Sequence, residues 1–152
     1  MYELLGEPID RYGLLKEFEG FRKEAYQCSA GVWTIGYGTT IYPDGTRVKR
    51  GDKIDERTAE KILEHYCENR IRYPKGDWTD SQKDALCSII YNIGQPAFDR
   101  SGLKRHLERG QWQAAYNSWN KWNKAGGRIV KGLVRRRAKE SFIFFKNLID
   151  IT

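Results

Sequence analysis

The sequence lacks long apolar runs, and it contains little cysteine or proline. Its 152 residues include three cysteines and four prolines. No apolar segment approaches the roughly 20 residues that a membrane-spanning helix needs. The opening segment, MYELLGEPIDRYGLLKEF, carries charges and a proline where a secretory signal would be continuously apolar. The sequence therefore predicts neither a signal peptide nor a membrane anchor.

The cysteines, Cys28, Cys67 and Cys87, are too few and too scattered for a disulfide framework. Reduced thiols of a cytoplasmic protein are the simplest interpretation, with a Cys67–Cys87 bridge as the alternative. No spacing of His, Cys and Asp matches a metal site, so we expect no metal and no other cofactor. The histidines, His65 and His106, fall on predicted helices with charged neighbours, which disfavours a Cys–His hydrolase.

Charge is distributed unevenly along the chain. The net charge is +7, and residues 121–146 hold nine Lys or Arg and one acid, a local net charge of +8. Such a field attracts polyanions, whether nucleic acid, an anionic lipid surface or an acidic cell-wall polymer. Charge alone does not choose among them.

Hydrophobic periodicity in the first third of the chain predicts a helix and a small sheet. Apolar residues at three- and four-residue spacings predict an opening amphipathic helix, with Glu19 near its C-terminal end. Those residues are Leu14, Leu15, Phe18 and Phe21. After Gly31, the segment VWTIGYGTTIYPDGTRV predicts a small antiparallel meander, because it alternates β-branched and aromatic residues with turn signals.

The rest of the chain reads as a series of helices. Asp55 can cap a helix through AEKILEHYCENRI that ends before Pro74. Its predicted buried stripe is Ile62, Leu63, Tyr66 and Ile71. Thr79 and Gln82 match a capping box before a second helix. That helix should bury Ala85, Leu86, Ile89, Ile90 and Ile93. Shorter helices are predicted near residues 101–109, 112–122 and 134–148.

This order of elements predicts an α+β fold that is mostly helical. We expect one domain over residues 1–152. A mixed lobe would span about 13–56, a connecting helix about 56–72, and a helical lobe about 73–152 together with the N-terminal helix. A cleft between the lobes is the expected ligand site.

One stretch, EFEGFRKEAYQCSAGVWTIGYGTT, places an acid, a thiol and a hydroxyl close together. Taken singly, Glu19 would be a solvated carboxylate, Cys28 a small buried hydrophobe and Thr34 a strand residue. Phe18 and Phe21 flank the acid, and desolvation by such rings favours the protonated carboxyl that a general acid needs.

These residues and their neighbours resemble the phage-type lysozymes, the endolysin muramidases of glycoside hydrolase family 24. The family motif is a Glu, eight residues, an Asp or Cys, five residues and a Thr, and Glu19, Cys28 and Thr34 match both spacings. Further blocks, ALCSIIYNIG, AFDRSGLKRHL and AGGRIVKGLVRRRAKE, resemble later family segments in the same order. The resemblance covers nearly the whole chain.

The resemblance implies a lysozyme-like fold and hydrolysis of the β-1,4 bond between N-acetylmuramic acid and N-acetylglucosamine in bacterial peptidoglycan. It makes Glu19 the general acid, and it assigns Cys28 and Thr34 to the attacking water, with inversion. A thiol of pKa about 8.5 is only about 3% ionised at pH 7, so Cys28 is a poor base unless its surroundings lower that pKa. We therefore expect Cys28 mainly to position water, with covalent stabilisation of the sugar cation as the second option.

The resemblance also implies a glycan-contacting set on the helical lobe: Tyr91, Asn92, Ser101 and Asn117. Arg135 matches a family arginine near the catalytic Glu, and Thr39 stands where many relatives have histidine. A run of aromatic residues at helical spacing predicts core packing more than a sugar platform. It comprises Trp112, Tyr116, Trp119 and Trp122.

Two other classes of function stay open at this point: a glycan-binding module without catalysis, and a nucleic-acid-binding protein that uses the basic C-terminal region. No nucleic-acid-binding motif supports the latter, so no specific nucleic acid is expected. The leading interpretation is a monomer that binds peptidoglycan strands, drawn to anionic envelope polymers by its basic lobe. It would remain in the host bacterial cytoplasm until a holin-type lesion releases it to the periplasm or wall.

Overall fold

The computed structural model describes residues 12–151, and within them lie seven helices and four short strands. They are α1 Gly13–Glu19, β1 Arg22–Gln27, β2 Trp33–Gly36, α2 Glu56–Arg70, α3 Asp80–Ile93, α4 Gln95–Asp99, α5 Gly102–Glu108, α6 Trp112–Asn120, β3 Lys124–Ala125, β4 Arg128–Ile129 and α7 Lys131–Phe145. The predicted α+β, mostly helical class is confirmed. Over the described range, no helix has both the length and the apolar character to span a membrane.

The chain divides into two compact units. The mixed unit is Lys16–Ile71, and the helical unit is Arg72–Thr152 together with the residues up to Leu15. The predicted connecting helix, α2, belongs to the mixed unit. The prediction of one domain with a cleft between two lobes stays a prediction.

Helix α1 ends where the backbone reverses its handedness. Gly20 adopts a φ of 71°, and its N–H donates to the carbonyl oxygen of Lys16 at 3.0 Å. A left-handed glycine at this position terminates a helix and satisfies one of its last carbonyls. Phe21, predicted to lie on the helix, therefore follows it, and its ring centroid lies 5.7 Å from that of Tyr37.

The sheet of the mixed unit differs from the predicted meander. Strand β1 precedes Gly31 and pairs antiparallel with β2, with Tyr26 opposite Thr34. Within the mixed unit, the residues after β2 contribute isolated bridges: Glu24 with Lys53, Ile35 with Thr39 and Ile41 with Arg47. The other edge of β1 is bonded to a loop instead, since the Ala25 N–H donates to the Asp52 carbonyl and the Ile54 N–H to the Lys23 carbonyl, both at 2.9 Å.

Helix α2 packs on β2 through small residues. Asp55 caps it as predicted, accepting from the Thr58 N–H at 2.7 Å. Gly36 has a φ of 64°, and a Cβ there would lie 3.1 Å from the Ala59 Cβ, so any other residue would be both strained and crowded. The predicted stripe is wrong at Tyr66, which is 42% exposed. The buried residues recur every four positions instead, at Ala59, Leu63 and Cys67.

The helical unit is built on α3, whose capping box is present as predicted. Thr79 Oγ1 accepts from the Gln82 N–H at 3.1 Å, and Gln82 Oε1 accepts from the Thr79 N–H at 2.9 Å. Four of its five predicted core residues are fully buried: Ala85, Leu86, Ile89 and Ile90. Ile93 is half-buried. Helix α4 and the β3–β4 hairpin were not predicted.

Aromatic side chains complete the core of this unit. Trp119 is fully buried, with ring centroids 5.2 Å from Phe144 and 5.5 Å from Phe145. Tyr116 stacks on Phe145 at 5.6 Å, while Trp112 remains half-buried. Core packing is therefore confirmed for Trp119, the centre of the aromatic run.

An ion cluster, formed by Arg136, Arg137 and Glu140, is buried beside this aromatic core. Arg136 Nε lies 3.2 Å from Glu140 Oε2, and Arg137 Nε lies 2.7 Å from Oε1. Trp119 Nε1 donates to Oε1 at 3.2 Å, and the Ser88 hydroxyl donates to Oε2. One carboxylate thus receives bonds from four side chains, as a buried charge requires.

Candidate active site

The three predicted catalytic residues lie on consecutive elements of the mixed unit. Glu19 is the last residue of α1, Cys28 directly follows β1, and Thr34 is the second residue of β2. Glu19 and Cys28 are half-buried, and Thr34 is buried. Strand β1 therefore separates the acid from the thiol.

Strand β1 contains a bulge between Arg22 and Tyr26. Arg22 lies opposite Gly36 and Tyr26 lies opposite Thr34, so β1 uses four steps where β2 uses two. At about 3.3 Å per strand residue, the two extra residues make the distance along β1 between Arg22 and Tyr26 about 7 Å shorter than in a straight strand.

The turn between the strands holds Cys28. The Cys28 N–H donates to the Val32 carbonyl at 2.9 Å, and the Gly31 N–H donates to the Cys28 carbonyl at 2.8 Å. Gly31 has a φ of 79°, a conformation that glycine adopts without strain. The side-chain amide of Gln27 also donates to the Gly31 carbonyl, at 3.2 Å.

This turn changes the acidity of the thiol. Hydrogen bonds from the backbone N–H groups of Val32 and Ala30 lower the pKa of Cys28, partial desolvation opposes them, and the Thr34 hydroxyl lowers the pKa further. The single Thr34 proton is donated to the Val32 carbonyl at 3.0 Å, so it must rotate to serve the sulfur. The backbone groups are therefore the main cause, and the structure brings Cys28 and Thr34 together.

We expect alkylation of native Cys28 by iodoacetamide to show an apparent pKa below that of free cysteine, because hydrogen bonds to sulfur stabilise the thiolate. Its thiolate fraction at pH 7 should therefore exceed the roughly 3% of an ordinary thiol. Mass-spectrometric alkylation rates from pH 5 to 9 measure it. Cys67 and Cys87 are buried, and the denatured chain provides the reference. An apparent pKa at or above that reference would contradict the expectation.

None of the three cysteines, all within residues 12–151, is part of a disulfide, so the alternative of a Cys67–Cys87 bridge is wrong. The structure thus agrees with the reduced thiols that the sequence favoured.

The predicted glycan-contacting residues all belong to the helical unit. Tyr91 and Asn92 lie at the end of α3, half-buried and exposed respectively. Asn117 is exposed on α6 and accepts from the Gln113 amide at 3.2 Å. Ser101 caps α5, where its hydroxyl accepts from the Lys104 N–H at 3.1 Å and donates to the Phe98 carbonyl at 2.6 Å. The Ser101 hydroxyl is thus already hydrogen-bonded within α5 and its N-terminal cap. Glycan contacts by all four residues stay predictions.

Arg135 is exposed on α7, whereas its neighbours Arg136 and Arg137 are buried in the ion cluster. Sequence reasoning singled out the exposed arginine and missed the buried pair. The one available signal was spacing, since Glu140 follows Arg136 by four residues and Arg137 by three. The predicted contact between Arg135 and the catalytic Glu stays a prediction.

The helical unit also contains a groove of about 750 Å³ that sequence reasoning did not anticipate. Its walls include Trp78, Trp112 and Phe144, with Glu108 and Asn147 among its polar residues. None of the predicted catalytic or glycan-contacting residues lines it.

Comparison with known proteins identifies the family of this chain. Residues 16–140 match the family model described as phage lysozyme. The endolysin of Bacillus phage B103 is 39% identical over 137 residues, which cover 86% of this chain and 51% of that protein. The endolysin of Acyrthosiphon pisum secondary endosymbiont phage 1 is 37% identical over 142 residues, covering 86% of this chain and 92% of that protein. The chain thus spans about half of the first relative and nearly all of the second.

Solved structures extend the likeness to the fold. The endolysin from Escherichia coli O157:H7 phage FAHEc1 superposes with a TM-score of 0.76 at 35% identity, covering 94% of this chain and 96% of that one. Fold and sequence together define a lysozyme-type hydrolase. The chain belongs to the phage lysozyme family, which confirms the predicted family and its lysozyme-like fold.

Proposed function

We propose that this protein is an endolysin-type muramidase that hydrolyses the β-1,4 bond between N-acetylmuramic acid and N-acetylglucosamine in peptidoglycan. The observation that supports it most is the Cys28 turn. It holds a thiol of lowered pKa beside Thr34, one strand away from Glu19. An acid on one side and a polar water-holding pair on the other are the two parts that an inverting glycosidase needs.

Glu19 acts as the general acid in this proposal. Its carboxyl protonates the glycosidic oxygen as the bond to the anomeric carbon breaks, while a water molecule attacks the opposite face of the sugar ring. Inverting enzymes keep the two groups about 6.5–9.5 Å apart to leave room for that water. The bulge in β1 favours such a separation, because a straight strand would add about 7 Å.

Cys28 and Thr34 hold the attacking water. The Thr34 hydroxyl can rotate away from the Val32 carbonyl and donate a hydrogen bond to the water, while the sulfur accepts a hydrogen bond from it. A lowered thiol pKa raises the thiolate fraction, which makes Cys28 a better acceptor than an ordinary cysteine. Positioning the water remains the main role of Cys28, because the attacking water can release its proton to bulk solvent as it bonds to the anomeric carbon.

Substrate contacts complete the proposal. Tyr91, Asn92 and Asn117 offer a ring and amide groups to N-acetyl sugars, and Ser101 offers its remaining lone pair. The basic C-terminal segment draws the monomeric protein to anionic envelope polymers, without a specific nucleic acid. Release from the host cytoplasm depends on a separate membrane lesion.

The test is the chemical identity of the new chain ends. Digestion of purified peptidoglycan, borohydride reduction and mass spectrometry should yield reduced N-acetylmuramic acid. Proton NMR of the first product should show the α anomer, as inversion of a β bond requires. Reduced N-acetylglucosamine would contradict the proposed bond, and an initial β anomer would contradict inversion. Binding without new ends would identify a glycan-binding module instead.

A further inference from the structure

The exposed part of residues 121–146 is more strongly cationic than the sequence alone indicates. The only acid in the segment, Glu140, is fully buried, and it is neutralised by the buried Arg136 and Arg137. Seven cations are exposed: Lys121, Lys124, Arg128, Lys131, Arg135, Lys139 and Lys146. No exposed acid of this segment offsets them.

The same segment exposes large apolar side chains. Seven such side chains are exposed among the described residues, and four of them lie between positions 129 and 142. Ile129 is 65% exposed, Val130 38%, Val134 41% and Phe142 55%. Single exposed apolar residues are ordinary, but a cluster of them marks an interaction surface.

These groups lie on adjoining elements, residues 124–130 and the exposed side of α7, which we term together the cationic–apolar face. The hairpin of β3 and β4 leads directly into α7, with Val130 as its N-cap. The Val130 N–H donates to the Asn123 carbonyl at 2.9 Å, which ties the helix start to the hairpin. On α7, Lys131, Arg135 and Phe142 follow at four and seven residues, so they project from one side.

We propose that the cationic–apolar face binds the surface of anionic phospholipid bilayers. Cations on the face attract anionic headgroups, and each Lys or Arg near such a surface strengthens binding about fivefold. Ile129 and Phe142 insert at the boundary between headgroups and acyl chains, where amphipathic surfaces bury their apolar groups. A soluble polyanion would gain from the cations but not from the apolar groups. This inference does not rest on the proposed hydrolysis.

Cosedimentation with lipid vesicles tests it, because vesicles contain no peptidoglycan. We expect at least tenfold tighter binding to vesicles of phosphatidylglycerol and phosphatidylcholine than to phosphatidylcholine alone, and weaker binding as salt rises. Equal binding to both kinds of vesicle, or no binding to the anionic ones, would overturn the proposal even if the protein digests peptidoglycan normally.

Charge variants locate the surface. K131Q together with R135Q should weaken binding to anionic vesicles about 25-fold, the product of two fivefold losses. The matched control is K83Q together with R109Q, which removes the same charge from exposed positions of the same unit. It should change binding less than threefold. Equal losses of vesicle binding in the two double variants would show that binding depends on net charge and not on this face.

Apolar variants distinguish a bilayer from a soluble polyanion. I129S together with F142S should weaken vesicle binding at least tenfold, since two large side chains no longer leave water. Binding to soluble polyglutamate should be unchanged. The control is I41S, at a residue 48% exposed in the mixed unit. Wild-type vesicle binding by the double variant would overturn the proposal, leaving simple charge attraction. Circular dichroism melting checks that each variant is folded.

Discussion

Glu19→Gln is expected to lower the rate of peptidoglycan hydrolysis by about two to four orders of magnitude, the usual contribution of a positioned proton donor. The amide has nearly the same size as the carboxyl, so α1 and its glycine cap should be undisturbed. It cannot release a proton to the glycosidic oxygen. Loss of turbidity of a peptidoglycan suspension measures the rate, and cosedimentation with the same suspension should show that binding remains.

Two variants make this result specific. Glu17→Gln changes an exposed acid on the same helix and should retain nearly full activity. Cys28→Ala should cost about tenfold, less than the acid variant, because Thr34 and solvent can still hold the water. Equal losses for Cys28→Ala and Glu19→Gln would show that the thiol participates as fully as the acid. A Glu19→Gln enzyme within threefold of wild type would exclude the carboxyl as proton donor.

Glu140→Leu is expected to destabilise the fold by about 3–5 kcal/mol, because it leaves two buried guanidinium groups without their carboxylate. The Ser88 hydroxyl and the Trp119 indole N–H lose their acceptor as well. For a chain of this size, such a change lowers Tm by roughly 6–20 °C. Urea unfolding followed by circular dichroism gives the free energy directly.

A surface ion pair provides the comparison. Glu24 lies 3.8 Å from Lys53, and both side chains are about two-thirds exposed. Glu24→Gln should therefore change the free energy of unfolding by less than about 1 kcal/mol. A change in the free energy of unfolding as small as this for Glu140→Leu would contradict the expectation. It would show that the buried ion cluster does not stabilise the packing of α7.

The sequence predicted best those elements whose signals are local. Helix α3 combines a capping box with apolar residues at helical spacing, so its start and its core side were both correct. Strand β1 was missed because its residues, RKEAYQ, are mostly polar and exposed. Its partner β2 is close in sequence, but β1 shows no alternation of polar and apolar residues. Tyr66 was wrongly predicted to be buried. Helix α2 buries Ala59, Leu63 and Cys67 at four-residue intervals, and Tyr66, as a large aromatic residue, was preferred over the smaller Ala59 and Cys67.

For the candidate site, the family resemblance selected Glu19, Cys28 and Thr34 through its motif, but it did not predict their environment. The lowered pKa of Cys28 comes chiefly from backbone N–H groups, whose direction is set by the turn and not by side-chain identity. The ion cluster is a similar case. Charges three and four residues apart ordinarily pair on a helix surface, and here the packing of α3 and α6 against α7 buries them.

The bulge of β1 also determines where this chain can be shortened. Its two extra residues lie between Arg22 and Tyr26, opposite a two-residue step of β2. Deleting both would give a regular antiparallel pairing in which Tyr26 still lies opposite Thr34. Deleting a residue between Tyr26 and Cys28 would instead shift Cys28 out of the turn that holds it. A shortened version of the molecule should therefore lose residues only within the bulge.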